Sequence, residues 1–229
     1  MSARSEGLLL VDKPAGVTSH DVVQLARRVY SERSIGHLGT LDPFATGLLV
    51  LLLGRSTRLA TFIGTDPKVY DATIRFGAET DTDDRTGNVV REAGPPDRGA
   101  IDEAIKSLTG KISQVPPAFS AKSVDGVRAY DAARRGEPMQ LDPVDVEVHE
   151  WLIKDARDAE IDVTVTCGSG TYIRALARDL GRLTSSAAHL SALRRIRSGP
   201  FDVRDAATLD DIRTAAPALQ TLMVVASHA

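Results

Sequence analysis

The 229-residue chain carries 28 Lys+Arg against 31 Asp+Glu for a formal net charge of −3, with 42% apolar, 4% aromatic and 26% charged residues. That composition excludes disorder over most of the length and allows one large domain, or one domain with an appendage, around a sizeable core. A single cysteine forms neither an internal disulfide nor a Cys-rich zinc site, which excludes a secreted scaffold and a zinc module and leaves the cytoplasm as the expected compartment. The longest aliphatic run, Leu48 to Leu53, falls far short of the roughly twenty residues of a membrane span. The N-terminal apolar run is too short for a signal peptide.

In chain order, Gly7 to Val11 reads as a short buried strand stopped by the turn residues Lys13-Pro14-Ala15-Gly16. Thr18 opens a helix with Asp21 in the capping-box position and Val22, Leu25, Ala26 and Val29 at helical spacing; Arg27 and Arg28 lie off that stripe. Ile35 to Gly47 reads as a Gly-containing loop, Leu48 to Leu53 as a fully buried strand, and Val69 to Phe76 as a half-buried strand with Tyr70, Ala72, Ile74 and Phe76 on one face. An acidic loop follows from Glu79 to Gly87. Ile101, Ala104, Ile105 and Leu108 mark an amphipathic helix ended by Gly110, and Gln114 to Gly126 reads as an irregular projecting loop. Ala129 to Arg135 is a short helix, and Val144 to Val148 and Ile161 to Cys167 alternate as strands. After Gly168-Ser169-Gly170 comes a helix burying Ile173, Leu176, Ala177 and Leu180, then Leu190 to Arg197 as a strand or helix end, then an Ala-rich tail with weak helical character. Strands and helices interleave without a regular βαβ rhythm. The expected fold class is therefore α+β, a mixed and mainly antiparallel central sheet flanked by helices.

Charge is clustered. Arg174 to Arg197 holds six arginines and one acid, Asp179, whereas Asp66 to Glu103 holds ten acids and five bases. Arg174, Arg178 and Arg182 recur every four residues and share one stripe of a helix with no acid on it. Such a stripe is commonly a solvated face, but unneutralised like charges are stabilised by a facing anion, and phosphates are the usual one.

The most unusual segment is Gly36-His37-Leu38-Gly39-Thr40-Leu41-Asp42-Pro43-Phe44-Ala45-Thr46-Gly47. On composition Asp42-Pro43 is a structural turn. It runs directly into the buried strand, however, and this sets Asp42 at the edge of the core, where a carboxylate needs a partner. Arg174 is the arginine best placed in sequence to be that partner and to hold the carboxylate ionised. His37 lies in the same loop, but no second histidine stands at metal spacing, so no metal site is expected. Tyr70 and Tyr172 each read as core aromatics when taken alone. No Walker, dinucleotide-binding or G-x-S-x-G motif is present.

Taken together, Lys13 to Asp21, Gly36 to Gly47, Lys68-Val69-Tyr70, Pro116-Pro117 through Ser120-Ala121-Lys122, Gly170 to Arg174 and Leu193-Arg194-Arg195 resemble, in order and spacing, the motifs of the TruB family of tRNA pseudouridine synthases over about residues 7 to 203. The resemblance implies a pseudouridine synthase fold over 1–205, an RNA-gripping insertion at 114–139 and a short tail at 206–229. A complete PUA domain, common after the catalytic domain in this family, is not expected in that tail, and weaker tRNA binding is expected from its lack. The implied reaction is isomerisation of uridine 55 in the T loop, without cofactor or metal, by a monomer whose partner is the tRNA T stem-loop.

By the same resemblance Asp42 is the catalytic carboxylate, Arg174 its partner and Tyr70 the stacking aromatic. His37 helps fill the space left by the flipped nucleotide, Tyr172 and Leu193 line the pocket, and Asp84 lies near the flipped base. Lys13, Arg178, Arg194 and Arg195 are expected to bind substrate. Two rivals are a nucleoside hydrolase, which needs a second carboxylate, and a non-catalytic tRNA-binding or folding factor, which has no use for Asp42.

Overall fold

The computed structural model describes residues 5–120, 122–124, 127–137 and 139–220. Its first elements are β1 (Gly7–Lys13), α1 (Ser19–Tyr30), β2 (Ile35–His37), β3 (Thr46–Leu53), β4 (Lys68–Phe76), β5 (Ala78–Thr80), β6 (Val89–Glu92) and α2 (Arg98–Ser107). Next come β7 (Gly110–Gln114), β8 (Ser123–Val124), β9 (Val127–Arg128), α3 (Ala129–Arg134), β10 (Val144–Ala156) and β11 (Glu160–Cys167). The chain continues with α4 (Ile173–Leu183), β12 (Ala188–Ser198), β13 (Phe201–Asp202), β14 (Ala207–Thr208) and α5 (Leu209–Ala215). The fold is mixed α+β with mainly antiparallel strand pairing, as expected. It divides into two compact units, Met1–Val69 with Arg194–Ala229 and Tyr70–Leu193. Among the described residues no helix is long and apolar enough to cross a membrane.

The first unit is organised by β3. On one side β3 pairs antiparallel with β1 along its whole length, Gly7↔Leu53 to Lys13↔Gly47. On the other it meets β2 antiparallel and the Arg194–Arg195 part of β12 in parallel. Leu8, Leu10, Leu38, Leu48, Val50 and Leu52 form the core, which explains why Leu48 to Leu53 is an unbroken apolar run: every one of these side chains is buried. Helix α1 begins as the sequence requires. The Thr18 hydroxyl accepts from Asp21 N–H and the Asp21 carboxylate accepts from Thr18 N–H, a reciprocal capping box.

One expectation is corrected here. Ile35 to His37 is a strand rather than loop, because the open flank of β3 offers it a ladder. The Ala-rich tail carries the expected helical character in α5, whose Leu209 and Ile212 are buried; before it β14 pairs in parallel with β1, and beyond it Gln220 bridges Leu8. Residues 221–229 lie outside the described residues.

In the second unit the strand order is β4-β11-β10-β7. Alternation puts Tyr70, Ala72, Ile74 and Phe76 of β4, Ile161, Val163, Val165 and Cys167 of β11, and Val146 and Val148 of β10 inside. The stretch read as a loop from Gln114 instead begins in the sheet, since Gln114 pairs with Val144. The acidic segment after β4 is not a solvated loop: Glu79, Thr80, Asp83 and Asp84 are all buried.

The tightest approach in the first unit is at Gly47, where φ is +100° and an added Cβ would lie 2.2 Å from the Arg195 carbonyl oxygen. Gly47→Ala is expected to lower stability by about 2–4 kcal/mol, from left-handed strain plus the clash, read as a fall in the urea midpoint at unchanged m-value.

Candidate active site

Asp42 sits in the loop between β2 and β3. Four anchors within its unit fix the surrounding backbone. The Asp42 carbonyl accepts from Ala45 N–H at 3.1 Å, closing a turn with Pro43 at its second position. Ser19, at the start of α1, donates its hydroxyl to the Leu41 carbonyl at 3.1 Å and accepts Leu41 N–H at 3.0 Å. The Lys13 ammonium donates to the carbonyls of Pro14, Val17 and Pro43 at 2.9, 2.8 and 3.5 Å. The Arg195 guanidinium donates to Leu48 at 2.7 Å, Gly39 at 3.1 Å and Thr40 at 3.5 Å. Asp42 itself is half-buried and enters a loop that cannot drift.

The charges around this loop are set by burial. Lys13 is fully buried, which pushes its ammonium down to about 8, against the pull of the Asp42 carboxylate; Arg195 lowers it further and Asp21 raises it. His37 is held below the ordinary imidazole range by burial first, then by Arg195 and His20, and its Nδ1 is buried without a partner among the described residues. The imidazole is therefore neutral at pH 7.

Lys13 and Arg195 were expected at the substrate. In the structure both are buried, 0% and 1% exposed, and direct their donors to backbone carbonyls that brace the Asp42 loop. Arg194 remains half-exposed and forms a bidentate pair with Asp12 at 2.9 and 2.7 Å.

In the second unit the arginine stripe of α4 has its anions inside the protein. Arg178 pairs with Asp83 at 3.0 Å and Asp179 at 2.9 Å, and donates to the Val115 carbonyl at 2.8 Å. Arg182 pairs with Glu79, which also pairs with Arg91 at 3.3 Å. Arg174 donates to the carbonyls of Thr82 and Phe119, both at 2.8 Å, and its Nε lies 4.0 Å from Asp84. The expectation of unneutralised arginines awaiting phosphate is thus corrected. Arg174 and Arg178 are buried, and the acidic segment supplies their counter-charges.

Asp84 accepts from the hydroxyls of Thr82 and Thr86 and from Thr86 N–H, which fixes the turn that carries it. Tyr70 and Leu193 are buried, and Tyr172 is half-buried at the N-cap of α4. Sequence reading missed Gln114, whose side-chain amide bonds Tyr172 N–H and C=O at 2.9 and 3.2 Å. Nothing in composition marks it beyond its place at the end of an alternating strand. Glu79 and Asp83 lie in a legible acid run, but nothing local in it marks the arginine stripe as its partner. Among the described residues no cluster of three or more His, Cys, Asp or Glu could hold a metal ion.

The family model described as TruB family pseudouridylate synthase (N terminal domain) matches residues 27–173, and that of the tRNA pseudouridylate synthase B C-terminal domain matches residues 174–222. This chain belongs to the TruB family of pseudouridylate synthases. As a TruB-family member it is an isomerase, one that changes how uracil is attached to ribose. Among its relatives is tRNA pseudouridine synthase B of Thermobifida fusca, 48% identical over 91% of this chain and 74% of that protein. Another is tRNA pseudouridine synthase B of Mycobacterium tuberculosis, 46% identical over 93% and 73%. Among solved structures, a Cbf5 chain from a Cbf5-Nop10-Gar1 complex superposes with a TM-score of 0.70 at 28% identity, covering 91% of this chain. A chain of an H/ACA RNP bound to a substrate RNA superposes at 0.67 with 26% identity, covering 90%. The chain spans only about half the length of each of those two chains, 54% and 52%.

Burial raises the Asp83 carboxyl to about 6, against the opposing pull of Arg178 and Arg174. Its folded value lies above the ordinary 3.8, so between those values the native state binds more protons than the unfolded one and loses stability as pH rises. In urea titrations from pH 4 to 7 the stability of the wild type relative to Asp83→Asn should fall with rising pH and level off above about 6.5.

Proposed function

We propose that this chain converts uridine 55 in the T loop of tRNA to pseudouridine, in the cytoplasm and as a monomer, with Asp42 as the catalytic carboxylate. Support comes from its relatives named tRNA pseudouridine synthase B, from the collinear motifs that carry Asp42, Tyr70 and Arg174, and above all from the bracing of the Asp42 loop. The reaction breaks the N1–C1′ bond, turns the uracil and forms C5–C1′, while the hydrogen leaving C5 is balanced by one gained at N1. Atoms and oxidation state are conserved, so no cofactor is called for.

Such chemistry requires an ionised oxygen held against the ribose within a few tenths of an ångström, because misplacement by about 1 Å can cost 100-fold in rate. Lys13, Ser19 and Arg195 meet that requirement by fixing the backbone on both sides of Asp42. Arg174 enters the proposal as the guanidinium partner of Asp42, and Tyr70 as the aromatic on which the extruded base stacks; both assignments rest on the family motifs. The neutral His37 ring brings no charge into the space that, by the family motifs, it helps fill.

Asp42→Asn, confirmed folded by circular dichroism, is expected to lose at least about 1,000-fold in single-turnover pseudouridine formation on a T stem-loop, since it removes the proposed catalytic anion. Mass spectrometry of the wild-type reaction should show RNA of unchanged mass; release of uracil would instead mean hydrolysis. Tyr70→Ala should be inactive even at saturating RNA, whereas a purely RNA-binding protein would lose affinity alone.

A further inference from the structure

Gln114 is the last residue of β7 and is held in register opposite Val144 of β10. The segment that follows, Val115 to Ser120, leaves the sheet. Its side chain is 1% exposed and reaches to Tyr172, where Oε1 accepts the Tyr172 N–H at 2.9 Å and Nε2 donates to the Tyr172 carbonyl at 3.2 Å. Tyr172 is the N-cap of α4, and its own side chain makes no cap hydrogen bond. The glutamine thus supplies an acceptor to a helix-start N–H, one of the groups that has no intrahelical partner. It also fixes the peptide two residues before Arg174 from a strand of the sheet, a stiffer support than a loop. Two further bonds run the opposite way, from Arg178 to the Val115 carbonyl and from Arg174 to the Phe119 carbonyl, so helix start and departing segment are stitched in both directions.

We propose that Gln114 is a positioning residue for the isomerisation: its amide bridge from β7 sets the start of α4, and with it Tyr172 and Arg174, in the geometry that the reaction needs. This rests on the reading of Tyr172 and Arg174 as members of the substrate site. Of the side chains near its length, a neutral amide alone pairs one acceptor and one donor with the N–H and C=O of the same residue, unless a glutamate takes up a proton and presents the same pair.

Two variants use this difference. In Gln114→Met both bonds are lost at nearly constant volume. Its single-turnover rate on a T stem-loop RNA should fall about 10- to 100-fold while the Kd for that RNA stays within about 3-fold. In Gln114→Glu an ionised carboxylate faces the Tyr172 carbonyl, so the variant should be slow at pH 8. It should recover toward the wild-type rate, compared at each pH, as the buried carboxyl is protonated on going to pH 5.5. Gln114→Met should show no such recovery.

Hydrogen exchange of the 170–176 region, measured without RNA, should quicken in Gln114→Met. The positioning role is overturned by a wild-type rate in folded Gln114→Met, by a loss confined to Kd, or by a Gln114→Glu deficit that pH leaves unchanged. Failure of the catalytic reading would show separately, as full activity of Asp42→Asn, and the exchange measurement decides the bridge without any substrate.

Discussion

A guanidinium carries five N–H donors in a fixed fork and does not give up its charge, so wherever one is buried the chain must bring acceptors to it. Arg195 meets this condition in the first unit by drawing in the carbonyls of Gly39, Thr40 and Leu48, and in doing so it shapes the loop that holds Asp42. Arg174, Arg178 and Arg182 meet it in the second by gathering the turn after β5 and the segment after β7 around one helix. Removing a partner from such a pair leaves an uncompensated buried charge, which typically costs about 3–5 kcal/mol, so these contacts define which arrangement of loops is tolerated more than they add net stability.

The same condition explains why part of the molecule could be read from its sequence and part could not. The capping box at Thr18 and Asp21, the buried run Leu48 to Leu53 and the alternation from Tyr70 to Phe76 are local signals, and each marks its element within a residue or two. The arginine spacing correctly marked a helix face. It could not reveal that Glu79 and Asp83, about a hundred residues earlier, lie against that face, because charge complementarity between distant segments has no period. For the related reason nothing local marks Lys13 and Arg195 as fully buried bases turned toward backbone oxygens. Asp42 stands out by its motif, but the bracing of the loop that carries it comes from Ser19, Lys13 and Arg195, well apart in the chain.

In each unit, irregular backbone is held by side chains anchored in regular elements. Lys13 ends β1, Ser19 begins α1, Arg195 lies in β12 and Gln114 ends β7. Loops can then present reactive groups at unusual backbone angles without the mobility that loops normally carry. Most of the clustered arginine charge in this chain of net charge −3 is thereby committed to internal architecture.

Trp151, the sole tryptophan, is half-buried in β10, and its indole N–H donates to the Leu108 carbonyl at 3.4 Å. Its fluorescence is therefore an intrinsic optical probe confined to the second unit. Followed alongside far-ultraviolet ellipticity, which averages over the whole backbone, it makes cooperativity measurable without labels. Coincident denaturation curves would mean that the two units melt as one, and separated curves would expose a half-folded species.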